Sequence, residues 1–530
     1  MEILMRIFLV LFLGCFSLVA NDKPNVLFIA IDDMRPEFNC YGESHIKSPN
    51  VDRLASKGLL FERAYCQQPI CNPSRASIMT GMRPEKNGVF HNNQYFRDTL
   101  PNVVTLSQHF INNGYNAAYA GKIYHRNGET DEDKSWNFKV VNPKKKRIKL
   151  IKGYALKENH KIVNENKAKL LEKYGKIPGG MLHGPAYECA DVNDHDYSDG
   201  WTTLQAIETM KKMKATGKPF FMAAGFKKPH LNFVAPKKYW DMYERKEIEL
   251  AHQQKAPEGG ATTGLHCSFE LRTRHGIPKS GEIGPELSKT LLHAYYACAS
   301  YIDAQVGMMI DFLEKDGLAD NTIIVLWGDH GWHLGDMGVW GKATNYEISA
   351  RVPFMIYTPG MKSSGKKTKA LVELMDIYPT LSELAGLKLP THLQGKSLVP
   401  LMANSNLEWN EPVLTQYPNP ALREWAALPL SQEMRQTFFG PLISAKESKI
   451  QAQFGSKFNR EHFENTLMGY SLRTDRYRFI AWLDRTNHSK DPVMLELYDL
   501  KDSNFEKVNI AERHPELVAK LLKKTRDLIK

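Results

Sequence analysis

The sequence predicts an α/β fold: a large, mostly parallel sheet flanked by helices, followed by a smaller C-terminal α+β domain. Three observations point to it. Residues 24–31, "PNVLFIAI", are a short apolar run, partly β-branched, that ends on Asp32 and Asp33. A second run, "NTIIVLWGDHGW", opens at Asn321, follows a long helical pattern and ends on Asp329 and His330. Strand and helix alternate over roughly 24–400, as in parallel sheets. Beyond "LQGKSLVPLM" the texture shifts to short strand-like segments.

Taken in order, Arg6 precedes the apolar stretch "IFLVLFLGCFSLVA" and then the polar "NDKPN". That length is short for a membrane span and suits an export signal over residues 1–20, cleaved near Ala20. Lipid attachment at Cys15 is the alternative, and Phe12 with the apolar residues after Cys15 fits it poorly. The chain is therefore expected to be periplasmic or secreted, with no later membrane span. "SPNVDRLASKG" reads as a short helix with Asn50 as N-cap and Gly58 closing it. From Pro285 to Gly317, Leu291, Tyr295, Cys298, Ile302, Val306, Met309 and Leu313 recur every three or four residues, the face of one long amphipathic helix. Residues 126–205 and 231–284 are long, loop-rich insertions of the kind that shape pockets. The main domain is expected over 21–405. "EPVLTQYP", "GYSLRTDRYRFIAWL" and "LELYDL" supply a small antiparallel sheet over 406–530, closed by the helix "HPELVAKLLKKTRDLI".

The formal charge is +11, and lysines cluster at 142–176. That cluster reads as a solvated insertion with helical character, or as a docking face for an anionic polymer. No nucleic-acid-binding signature accompanies it. Seven cysteines (Cys15, Cys40, Cys66, Cys71, Cys189, Cys267 and Cys298) show neither CxxC pairs nor zinc spacing, which excludes a disulfide scaffold.

In a parallel sheet the carboxyl ends of strands share one edge, where sites form. Asp32, Asp33 and Asp329 would converge there and repel one another unless a cation lay between them. Hard carboxylate oxygens favour calcium or magnesium. A single such aspartate would read as a strand-end cap; two matched strand ends do not. In "ICNPSRASIMTG", Pro73 suits the first turn of a helix, which puts Cys71 at its N-terminus, where free N–H groups attract an anion. A buried, inert cysteine is the plain alternative.

At "CNPSR" the sequence resembles the type I sulfatases of the alkaline phosphatase superfamily, and most of all their iduronate-2-sulfatase-like branch. Further matching stretches are "IDDMRPEFNCYG", "GKIYH", "KKPH", "YIDAQVG", "GDHGWHLGD" and "WGKATNYE". The resemblance implies a mixed, mostly parallel sheet and a Cys71 that a separate maturase oxidises to formylglycine, whose hydrated aldehyde is the nucleophile. It implies calcium, with magnesium as the alternative, held by Asp32, Asp33, Cys71, Asp329 and His330. Arg75 would hold the hydrate, and Lys122, His125, His230 and Lys342 would serve the sulfate and its proton transfers. The implied substrate is a sulfated saccharide, a 2-O-sulfate on a sugar such as iduronate in a glycosaminoglycan, or a unit of algal ulvan. Asn93, Arg97, Trp332 and His333 would line the pocket or belong to the scaffold. Lys227 and Lys228 would extend a basic wall. Two other readings stand: a phosphatase or phosphonate hydrolase on the same superfold, and a non-catalytic polysaccharide-binding protein.

Overall fold

A computed structural model describes residues 23–125, 131–143, 150–177, 181, 184–423, 434–501, 503 and 505–530. The expected export signal, with Cys15, lies outside the described residues. Eight strands build the main sheet: β1 (Asn25–Ile31), β2 (Leu59–Tyr65), β3 (Asn116–Gly121), β4 (Phe220–Phe226), β5 (Thr322–Gly328), β6 (Arg351–Val352), β7 (Phe354–Tyr357) and β8 (Lys366–Glu373). β1 lies between β4 and β5, parallel to both, and β3 runs parallel to β4 on the far side. β7 is antiparallel to β5 and, with β6, antiparallel to β2; β8 closes the edge parallel to β2. The sheet is thus mixed and mostly parallel.

The core explains why the central strands read as unbroken apolar runs. Leu27, Ile29 and Ile31 of β1 enter one hydrophobic cluster, whereas Val26, Phe28 and Ala30 enter another on the opposite face. A strand covered on both faces has no polar alternation to show. The principal helices are α1 (Pro49–Lys57), α2 (Cys71–Thr80), α3 (Lys157–Tyr174), α4 (Ser198–Lys214), α5 (Pro285–Lys315) and α6 (Pro515–Ile529). α4 and α5 cover the first face, and α2 covers the second.

The start of α1 differs from expectation. Its N-cap position is Ser48, which makes no side-chain cap, and Asn50 lies inside the helix. The cap comes from α5: one Asp303 oxygen accepts the backbone N–H of Asn50 (2.9 Å) and of Val51 (2.7 Å), and the other accepts Asn50 Nδ2 (2.8 Å). An ionised oxygen from a neighbouring helix satisfies the orphan N–H groups as a local cap would.

The C-terminal part forms a four-stranded antiparallel sheet in the order β9 (Val413–Pro418), β10 (Leu467–Arg473), β11 (Tyr477–Asp484), β12 (Met494–Asp499), and α6 packs on it. The segment read as "GYSLRTDRYRFIAWL" is a hairpin that turns at 474–476, where Thr474 Oγ1 accepts the Tyr477 N–H at 3.0 Å. In the lysine-rich insertion, α3 has no buried residue, consistent with a solvated face. Cys40, Cys66, Cys71, Cys189 and Cys298 are free thiols. Among the described residues, no helix is long and apolar enough to cross a membrane.

Candidate active site

β1 and β5 are in register up to Ile31 opposite Gly328, so Asp32 and Asp329 leave the sheet side by side. Successive residues on a strand point to opposite faces. Asp33 escapes that alternation because its backbone is left-handed (φ +59°), a conformation aspartate tolerates. The turn is held by Asp329 Oδ1, which accepts the N–H of Asp33 and of His330, each at 3.0 Å, and by Tyr295, whose hydroxyl donates to Asp33 O at 2.8 Å. β2 leads to Cys71, the first residue of α2, and Ser74 Oγ anchors that helix to Asp329 O at 2.6 Å.

Four buried ligand atoms, one each from Asp32, Asp33, Cys71 and His330, lie within 4.8 Å of one another. His330 Nδ1 lies 3.0 Å from its neighbour Gly331 O, while Nε2 lies 3.4 Å from Cys71 Sγ and 3.3 Å from Asp33 Oδ1. Asp329 stands beside this group, 3.6 Å from His330 Nε2.

The three aspartates do not converge uncompensated, contrary to the electrostatic expectation. Arg75, fully buried, donates Nε to Asp329 (2.8 Å) and Nη2 to Asp32 (3.0 Å). Its Nη1 donates to the carbonyls of Lys122 (2.6 Å) and Ile123 (3.0 Å), so Arg75 braces the frame. Lys122 Nζ reaches Asp32 at 2.5 Å, and Lys342 Nζ reaches the two oxygens of Asp33 at 2.8 and 3.1 Å. Charge balance alone therefore does not demand a metal; the donor set makes that case better. Burial lowers the basicity of His330, yet Asp329, Cys71 and Asp33 outweigh it and lift the imidazole to about 9. The surrounding acidic groups thus favour positive charge at that position. Two carboxylates and an imidazole with Nε2 turned inward fit a divalent ion.

The field separates the remaining groups. Burial would raise Asp32, but Lys122 and Arg75 hold it well below the usual carboxylate range. Burial pushes Asp33 well above it, despite Lys342 and His330. Burial opposes the charge of Lys342, but Asp33, Cys71 and Glu270 keep its ammonium protonated. His230 is pushed well down by burial and by Lys342, and His125 falls to about 3 through burial and Lys122. His230 Nδ1 lies 2.7 Å from Leu231 O; Nε2 faces Asp33 at 3.9 Å and Glu270 at 3.6 Å. His125 keeps a buried Nδ1 with no hydrogen-bond partner among the described residues.

Several expected contributors belong to the scaffold. Lys228 Nζ is buried against the carbonyls of His230 and Asn232, at 2.7 and 2.5 Å, and is no part of an outer wall. Lys227 is exposed. Arg97 is taken by Asp131 (2.9 and 2.7 Å), and His333 is buried against Thr344 Oγ1 (2.9 Å). Asn93 is exposed, whereas Trp332 is buried with Lys342 Nζ 5.3 Å over its ring. Glu270 joins the site without any mark in the sequence. It lies in the 231–284 insertion, 3.6 Å from Lys342 Nζ.

The family model for sulfatases matches residues 24–387. Human iduronate 2-sulfatase is 31% identical over 511 residues, covering 87% of this chain and 86% of its own. An ulvan-active sulfatase of Formosa agariphila is 28% identical over 417 residues, covering 77% of this chain and 70% of its own. Among solved structures, a phosphonate monoester hydrolase of Agrobacterium radiobacter superposes with a TM-score of 0.68 at 20% identity, covering 96% of this chain and 95% of its own; it speaks to the fold alone. A profile spanning the main sheet and both strand-end motifs, with a relative matched along most of both chains, places this protein in the sulfatase family, and it is a sulfuric ester hydrolase.

Proposed function

We propose that this enzyme removes 2-O-sulfate from a saccharide unit of a polysaccharide such as a glycosaminoglycan or ulvan. The observation that carries the chemistry is the placement of Cys71. Its Sγ lies at the mouth of α2, 3.4 Å from His330 Nε2 and 3.7 Å from Lys342 Nζ, inside the buried ligand group. The substrate class is supported by the relatives: one named for iduronate 2-sulfate, another for ulvan.

In this reading Cys71, oxidised to formylglycine by a maturase, supplies a hydrated aldehyde as nucleophile. Cys71 is 1% exposed, so that oxidation precedes folding. Asp32, Asp33, Asp329, His330 and the modified Cys71 would hold calcium, or magnesium, which adds Lewis-acid polarisation. The chain's own groups do the rest. Arg75 fixes Asp32 and Asp329 and the entrance of α2. Lys342, buried, and Lys122, partly buried, set two ammonium charges where an anionic ester would lie, a preorganised field of the kind that dominates transition-state stabilisation. His230, whose Nε2 faces Asp33 and Glu270, or Lys342 would protonate the departing sugar oxygen, and His125, with Nδ1 unpartnered among the described residues, would accept a proton. Such positioned acid–base groups contribute about 10²–10⁴-fold each. The apolar leader over 1–20 makes this an exported enzyme, periplasmic or secreted.

Sulfate release from a panel of defined sulfated oligosaccharides, alongside phosphate and phosphonate esters, tests the reading. Turnover of the phosphorus esters alone would overturn it, and so would an unmodified Cys71 thiol in active protein, read by mass spectrometry.

A further inference from the structure

Among the described residues, most buried arginines are held by carboxylates, and Arg272 is held by the carbonyls of Cys267, Pro278 and Gly281 (2.9, 2.6 and 2.7 Å). Arg75 has Asp32 and Asp329, Arg83 has both oxygens of Glu373 (2.9 and 2.7 Å), and Arg478 has Glu347 and Glu506. Arg274 is 5% exposed, yet its nearest described carboxylate oxygen, Glu270 Oε1, stands 4.0 Å away. Its Nε is buried without a hydrogen-bond partner among the described residues. Glu270 cannot fully compensate it, because the same carboxylate faces Lys342 Nζ and His230 Nε2, each at 3.6 Å. Burial lowers the basicity of any guanidinium. Carboxylates reverse that for Arg75, Arg83 and Arg478, and Glu270 does not reverse it for Arg274.

The place of this group is informative. From Cys71 Sγ the contacts run to Lys342 Nζ (3.7 Å), to Glu270 (3.6 Å) and to Arg274 (4.0 Å), along one side of the site. Incompletely compensated buried charge is costly, so a retained one leaves room for a ligand. A guanidinium fork matches a carboxylate in two parallel hydrogen bonds. A uronate ring bears its carboxylate on C5, three bonds around the ring from C2, so sulfate and carboxylate leave the ring at different sides.

We infer that Arg274 is a specificity-determining residue that binds the carboxylate of the sugar whose sulfate is removed. The inference rests on the saccharide reading above and narrows it to sulfated uronates.

The test compares a 2-O-sulfated uronoside with its counterpart reduced to the alcohol at C6. Charge-assisted hydrogen bonds of this kind are worth roughly 10- to 100-fold in kcat/KM. Wild type should prefer the acid by about that factor. Arg274→Gln should bring the ratio of the two near one, chiefly through KM, and Arg274→Lys should fall between. A wild-type ratio near one would overturn the inference, as would an Arg274→Gln enzyme that keeps the wild-type ratio. A second measurement needs no variant: a sulfate-free uronoside should inhibit wild-type turnover of 4-nitrophenyl sulfate at least about tenfold more tightly than its reduced form. Equal inhibition would refute the carboxylate contact. If the enzyme releases sulfate from no saccharide but shows that selective inhibition, the substrate reading fails and the carboxylate contact stands.

Discussion

Lys342→Ala should separate two classes of substrate. Lys342 is 4% exposed, and its ammonium touches Asp33, Glu270 and Cys71 Sγ. A charge about 4 Å from an oxygen that becomes negative in the transition state is worth about 4 kcal/mol at an effective dielectric near 20. Full charge does not develop there, so a loss of about 10²–10³-fold in kcat is expected on a sulfated sugar, whose alkoxide leaves poorly. A nitrophenolate spreads its charge into the ring and needs little help, so its loss should be about tenfold smaller. Lys342→Arg keeps the charge but not the compact reach, and should recover part of the sugar activity. The assay is kcat and KM on a sulfated disaccharide and on 4-nitrophenyl sulfate, with the Cys71 peptide checked for equal oxidation in each preparation. Equal losses on the two substrates would refute the leaving-oxygen role. They would place Lys342 instead as the ammonium that pairs with both Asp33 and Glu270 and holds the frame of the site together.

Chelation should abolish activity and added calcium should restore it; full turnover by protein shown to be metal-free would end the metal proposal. Cys71→Ala should fold with an unchanged circular dichroism spectrum and be inactive, because a smaller side chain fits the entrance of α2; turnover comparable to wild type would exclude Cys71 as the precursor of the nucleophile. Asp303→Asn should change how stability varies with pH. Burial lifts Asp303 from 3.8 to about 6 despite its three hydrogen bonds, so its contribution is complete below pH 3.8 and is lost as pH rises through 6. Asparagine stays neutral, so wild type should lose about 2 kcal/mol relative to the variant between pH 4 and pH 7, at about 1.4 kcal/mol per pH unit. Urea titrations at the two pH values check this, and parallel pH profiles would contradict it.

What the sequence reveals about the site follows from how the fold builds it. Two apolar runs that each end on acids announce a shared sheet edge, since strands buried on both faces carry few other polar residues, here only Asn25 and Thr322 at their starts. The pairing of Ile31 with Gly328 meets that expectation. The entrance of α2 is legible because proline fixes the first turn locally. Features built by distant partners are not legible. The cap of α1 comes from Asp303, more than 250 residues further along the chain, so a search among neighbours settles on Asn50. Lys228 and Lys122 look alike as residues near histidines. Only the fold shows that one is buried on carbonyls while the other reaches Asp32.

The same contrast bears on the electrostatics. Three aspartates at one edge suggest a metal when counted from the sequence, yet Arg75, Lys122 and Lys342 already match them charge for charge. Room for a further cation shows only in the geometry, where His330 Nε2 is turned inward among Cys71, Asp33 and Asp329. The case for an anionic substrate shifts in the same way. The exposed lysines of α3 carry no buried contact and face solvent, which screens them over about 10 Å at 0.1 M salt. Lys122, Lys342 and Arg274 lie inside, where each charge acts at short range and at higher strength. Affinity for the sulfated unit should therefore depend on these few buried cations and respond weakly to salt, while only contacts with the rest of a polymer should weaken as ionic strength rises.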